Sequence, residues 1–143
     1  PTMTVEQIAT LPVPELAASD AALFLWATAP MLPQALDVMA AWGFTYRSHL
    51  VWRKDRVATG YWVRNLHEIL LIGTRGHVPA PAPGDQPVSV YDAAIGDHSA
   101  KPPLFRDLIT DLFPTVPKLE LFARGDAPAG GDFWGNEAKG KAA

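Results

Sequence analysis

An open α/β sheet is the fold class this sequence predicts. Short apolar runs alternate with helical patterns, the stretch from Ala21 to Trp52 reads as strand, helix and strand, and no internal repeat interrupts that order. The chain has 143 residues, 48% of them hydrophobic and 19% charged. That size suits one domain spanning residues 1–143, able to bury roughly two thirds of its unfolded surface.

The first element is a short helix to about Thr10. Thr4-Val5-Glu6-Gln7 is a capping box, in which the Thr4 hydroxyl takes the amide three residues on while Gln7 reaches back, and Leu11-Pro12 stops the helix. Ala21-Ala22-Leu23-Phe24-Leu25-Trp26-Ala27-Thr28 is apolar on both alternations, the pattern of an interior strand covered on both faces. From Pro33 to Trp42 the apolar residues Ala35, Leu36, Met39 and Trp42 recur at helical spacing, and Gly43 stands where a left-handed C-cap is needed. Phe44-Thr45-Tyr46 into His49-Leu50-Val51-Trp52 closes a βαβ unit, for which parallel strands and a right-handed crossover are expected.

Ile69-Leu70-Leu71-Ile72-Gly73 is a further buried strand. Val78 to Pro87 carries Pro79, Pro81, Pro83 and Pro87, which cannot sustain a ladder and predict a stiff exposed loop. Pro102 or Pro103 can open a helix whose apolar stripe is Leu104, Phe105, Leu108, Ile109 and Leu112, with Pro114 ending it. Leu119-Glu120-Leu121-Phe122-Ala123 reads as a strand with Glu120 and Phe122 on one side, and Gly125 to Gly135 as a Gly-rich tail loop.

Composition excludes several functions. Twelve Lys and Arg against fifteen Asp and Glu leave a formal charge of −3, so any nucleic-acid site must be local. The absence of cysteine excludes disulfides and a thiolate zinc cluster, and agrees with a reducing cytoplasm. The longest apolar stretches fall well short of the ~20 residues a bilayer span needs, and no signal segment opens the chain. A soluble cytoplasmic protein with no membrane partner is expected. Residue 1 is Pro, which suggests a numbering that starts inside a longer polypeptide.

Ligands on open α/β sheets bind beyond the carboxyl ends of strands, which directs attention to three segments. Arg124-Gly125 and Gly130 to Glu137 follow the last strand; Glu120 and Arg124 can read a ribose, an amino group or a carboxylate, or can form a strand-end ion pair. Lys101 precedes a helix N-terminus, where it can hold an anion or remain a solvated charge. Asn136 and Glu137 offer hydrogen-bonding groups beside Trp134. The third segment is basic: Arg47, Arg53, Lys54, Arg56 and Arg64 face only Asp55, a local charge of +4, with Trp52, Tyr61 and Trp62 interleaved. Cations with exposed rings suit a single-stranded or flipped base, although a solvated turn with buried Trp residues has the same composition. His67-Glu68 lacks the second His of a zinc helix, Leu71 standing in its place, so no metal is expected. Neither Gly run is a phosphate cradle, and no Ser stands in a nucleophile elbow.

Together these segments form a pattern. Pro1-Thr2-Met3-Thr4, Leu23 to Thr28, Ala41-Trp42-Gly43-Phe44, Val51-Trp52-Arg53-Lys54, Thr59-Gly60-Tyr61-Trp62, His67-Glu68, His98-Ser99-Ala100-Lys101-Pro102, Lys118 to Arg124 and Trp134-Gly135-Asn136-Glu137 run in the family order of the MT-A70 S-adenosylmethionine-dependent adenine-N6 methyltransferases, which the chain resembles over nearly its whole length. The resemblance implies a permuted Rossmann-like fold with a mostly parallel open sheet and helices on both faces. It implies that Lys101, Glu120, Phe122, Arg124, Asn136 and Glu137 hold the methyl donor in one pocket, with Lys101 on its carboxylate. Glu68 matches a position near the acceptor base. Lys54, Arg56, Tyr61, Trp62 and Arg64 match a loop flanking adenine-containing DNA or RNA, and homo- or heterodimers occur in the family.

One departure matters. The family signature, an acid followed by Pro-Pro-Trp, falls just before the position matching Pro1, and the one Pro-Pro here is Pro102-Pro103, followed by Leu104. The expectation is an N-terminally incomplete domain that lacks the signature strand, and is unstable or associating, and inactive, alone. The alternative is a non-catalytic nucleic-acid-binding partner of an active homologue; a small-molecule methyltransferase fits the basic stretch less well.

Overall fold

A computed structural model describes residues 3–97 and 100–121 in full and residues 124–126, 131–134 and 137–139 as backbone. The chain divides into two units, Pro1–Ala94 and Ile95–Ala143.

In the first unit the capping box forms as expected. Helix α1 (Val5–Ala9) opens with the Gln7 amide donating to Thr4 Oγ1 at 3.1 Å and the Thr4 amide donating to Gln7 Oε1 at 2.9 Å. A one-turn helix α2 (Val13–Leu16), too short to show helical periodicity in the sequence, precedes β1 (Ala21–Ala27). Helix α3 (Leu32–Ala41) follows a short 3₁₀ turn and ends at Gly43, whose φ of +86° is the left-handed value the sequence anticipates there. Strands β2 (Thr45–Arg53), β3 (His67–Arg75) and β4 (Val90–Asp92) complete a sheet of order β1-β3-β2-β4.

That order corrects three expectations. The sheet is mixed rather than mostly parallel, because β3 runs antiparallel to both β1 and β2 while β4 is parallel to β2. β1 and β2 do share a direction, but β3 is inserted between them, so they are not hydrogen-bonded neighbours. The physical reason lies in the 54–66 loop, which contains no helix; without a crossover element the chain can only return antiparallel. Finally, β1 is an end strand of this sheet and, apart from buried Ala27, half-buried. An apolar run reports on the faces of a strand, not on how many neighbours its edges have.

The core sits between α3 and the sheet. A Cβ on Gly73 would stand 2.8 Å from Met39 Sδ, so the bare backbone at this point of β3 is what lets α3 approach. Val38, Met39, Trp42, Phe44, Ile69 and Leu71 are buried there, each stabilising the fold by about 1.5–3 kcal/mol. The Trp42 indole N–H donates to the Ile8 carbonyl at 3.1 Å and so ties α1 to the end of α3. Alternation sends Leu50, Trp52, Glu68 and Leu70 to the opposite face, where all four are buried.

In the second unit, α4 (Pro103–Leu112) forms as the Pro start and apolar stripe predict, with Phe105 buried. Strand β5 (Lys118–Leu121) follows. The Gly125 to Gly135 segment, expected to be a loop, holds the short strand β7 (Gly131–Trp134) and most of β6 (Arg124–Asp126), and β8 (Glu137–Lys139) follows it. They form parallel pairs, β5 with β7 and β6 with β8. Gly and Asp have low strand propensity, so pairing with a neighbour, not local preference, makes these segments extended. Among the described residues no helix is long and apolar enough to cross a membrane.

Candidate functional site

At the end of β2 the register sets Trp52 opposite Glu68, and Lys54 follows one residue beyond the strand. Lys54 Nζ lies 2.7 Å from Glu68 Oε2, with the two side chains only 15% and 9% exposed. The ammonium also stands 5.2 Å from the centre of the Trp52 ring, an attractive cation–π arrangement. Trp52 is itself fixed on two sides: its indole N–H donates to the Ala93 carbonyl at 2.8 Å, and its ring meets Trp26 edge to face at 6.2 Å. Lys54, expected to flank the substrate on an exposed loop, is thus drawn to the buried carboxylate, and of the two readings left open for Trp52 the buried one holds.

Beside this pair a cleft of about 360 Å³ opens, lined by Arg53, Lys54, Asp55, Asp92, Ala93 and Ala94. It lies at the carboxyl ends of the parallel strands β2 and β4, where ligands of α/β sheets bind. Its rim carries a bidentate pair, Arg53 Nε to Asp92 Oδ1 at 2.6 Å and Arg53 Nη2 to Asp92 Oδ2 at 2.8 Å. The hydrogen bond from Arg53, aided by its charge, holds the Asp92 carboxyl below the usual carboxylate range. Sequence reasoning missed Asp92, because a three-residue strand after a Pro-rich loop carries no periodic signal.

The 54–66 loop presents Arg56 and Arg64 to solvent, with Arg56 Nε 4.0 Å from Asp55. Tyr61 and Trp62 are 84% and 91% exposed. Counting Glu68 and Asp92, which the fold delivers to Lys54 and Arg53, lowers the local charge from +4 to +2.

In the second unit Lys101 is half-buried immediately before Pro102, the N-cap of α4. Glu120 on β5 accepts from Arg106 Nη2 of α4 at 2.8 Å, both side chains about one third exposed. Arg106 went unrecognised in the sequence, since nothing local links a helix residue to a strand 14 positions on. Arg124 and Glu137 are register partners across β6 and β8, which places two expected donor-binding positions side by side. Phe122 and Asn136 lie outside the described residues.

A mixed α/β sheet with a cleft at its strand ends is consistent with a methyltransferase-like fold. The model of the MT-A70 family matches residues 1–137, and the chain belongs to that family. It is 33% identical over 138 residues to a type II methyltransferase, M.MunI, of Mycoplasma sp, the match covering 96% of this chain and 59% of the relative. It is 30% identical over 148 residues to an MT-A70-like N(6)-adenosine-methyltransferase of Arabidopsis thaliana, covering 97% of this chain and 21% of the relative. A probable N(6)-adenosine-methyltransferase of Oryza sativa subsp. japonica matches at the same identity, over 20% of its length. The chain therefore spans between one fifth and three fifths of these relatives.

Proposed function

We propose that this chain supplies the donor-binding and substrate-flanking parts of an S-adenosylmethionine-dependent enzyme that methylates N6 of adenine in DNA or RNA. Family membership over residues 1–137 sets the class; the observation that carries the site is the buried Glu68 carboxylate clamped by Lys54 beside a cleft at the strand ends.

The residues present suit the methyl donor. A lysine at the start of a ten-residue helix matches a carboxylate, and an acid on β5, fixed by Arg106, matches hydroxyl or amino groups. S-adenosylmethionine, when bound, supplies an electrophilic methyl group on a cationic sulfur. Lys101 would neutralise the carboxylate of the donor, and Glu120, Phe122, Arg124, Asn136 and Glu137, which match donor-binding positions of the family, would hold its ribose and amino-acid ends. Glu68 accepts a hydrogen bond from the exocyclic amine of adenine. Lys54 holds that carboxylate in one place, so the amine lone pair is aligned rather than solvated. Little proton work falls to the protein, because the methylated amine loses its proton readily to water.

Equilibrium dialysis with labelled donor tests this reading. Lys101→Ala should weaken donor binding about tenfold, the loss of one charge-assisted hydrogen bond. Glu68→Gln should bind the donor like the parent, yet lower transfer to an adenine-containing oligonucleotide, both measured with Asp-Pro-Pro-Trp encoded directly before Pro1. Undiminished donor binding by Lys101→Ala would contradict the proposal.

A further inference from the structure

The tip of the 54–66 loop holds a feature that the ion pair at its base does not explain. Trp62 is 91% exposed, and among the described residues it is the sole non-glycine with positive φ, at +66°. A bulky side chain in that region is strained, so its display costs the fold something. The loop enforces it. The Val63 amide donates to the Tyr61 carbonyl at 2.8 Å, closing a three-residue turn with Trp62 at its centre. The Ala58 amide donates to the Asn65 carbonyl at 2.7 Å and the Lys54 amide to the Leu66 carbonyl at 2.8 Å, so the two arms of the loop are tied together. A Cβ on Gly60 would collide with the Val63 carbonyl oxygen, which leaves glycine as the residue that permits so tight a turn. Tyr61 braces the indole edge to face, ring centres 6.4 Å apart.

We propose that Trp62 is a preformed stacking residue for an unpaired nucleobase of the substrate strand; this rests on the nucleic-acid reading above. Every base offers a π-face to an aromatic ring, and stacking is indifferent to sequence. The exposed Arg56 and Arg64 in the same loop are placed to meet phosphates flanking such a base. The fold also limits what charge can contribute, because Lys54 and Arg53 are already engaged by Glu68 and Asp92. With Arg64 and Arg56, the latter 4.0 Å from Asp55, as the loop's other cations, the loop's share of the slope of log affinity against log salt on a single strand should be no steeper than about −1.4. Stacking, rather than charge, then carries most of the loop's contribution.

The test is a titration of the chain with a labelled oligo(dA) strand and with an abasic backbone of equal length and charge, at about 50 and 200 mM salt. The parent should bind the base-bearing strand at least about fivefold more tightly than the abasic one. Trp62→Gly, which accepts a φ of +66° without strain, should erase that preference and leave the salt slope unchanged, while Trp62→Phe should restore part of it. If Trp62→Gly keeps the preference, stacking by Trp62 is overturned while the nucleic-acid reading stands. If the parent binds neither strand, the nucleic-acid reading itself falls. Dissociation of a dimer into monomers in sedimentation velocity on Trp62→Gly substitution, with strand binding intact, would make the ring a contact between copies and overturn the proposal.

Discussion

Two ion pairs, on consecutive residues at the end of one strand, show how differently the same chemistry can behave. Arg53–Asp92 and Lys54–Glu68 have nearly equal shortest distances, 2.6 and 2.7 Å. The first has side chains 56% and 67% exposed, the second 15% and 9%. Water and salt screen the first, so its stabilising effect is small whatever its geometry. The second has surrendered hydration on both sides and depends on its partner. Alternation along β2 and the turn into the loop send one cation to the rim and the other beneath it.

The largest effect expected from breaking this comparison is at Lys54. Lys54→Ala strands a buried carboxylate and should lower stability by about 3 kcal/mol in urea unfolding, whereas the double variant Lys54→Met with Glu68→Leu should recover most of that loss. A double variant no more stable than Lys54→Ala would show that the stranded carboxylate is not the source of the loss. An intermediate effect sharpens the series: Arg106→Ala, which removes the one-third-exposed partner of Glu120, should cost about 0.5 kcal/mol and less as salt is raised. The smallest effect is at the rim. Arg53 holds the Asp92 carboxyl below its ordinary range, so the pair's contribution is fully present above that range and is lost as pH falls through the depressed value. Unfolding midpoints of the parent and Asp92→Asn should therefore differ slightly at neutral pH and converge in acid; a difference that grew in acid would reverse the sign.

Much of the fold was legible. The capping box at Thr4, the span of α3 to Gly43, the Pro start and stripe of α4 and the three long strands all follow from patterns that involve residues two to four apart. The strand order did not follow, because the insertion of β3 between β1 and β2 depends on how a helix-free loop returns. The tail strands were hidden for a related reason: Gly131 and Asp132 carry no strand preference, and they extend because Lys118 and Leu119 lie beside them. At the candidate site, Glu68 and Lys54 were each noticed for a separate role. Their union required the register that sets Trp52 opposite Glu68.

The sequence by itself determined the identity of most elements, the family and the residue types at the site, since these depend on local spacing and on motifs in order. Tertiary structure alone decided which acid each cation meets. Arg53 finds Asp92 across a parallel pair of strands, Lys54 finds Glu68 across an antiparallel one, and Trp62 is turned outward by Gly60 and Val63. Charge counted along a chain ignores partners that arrive from other strands. Burial, which sets the strength of each pair, exists only once those strands have met.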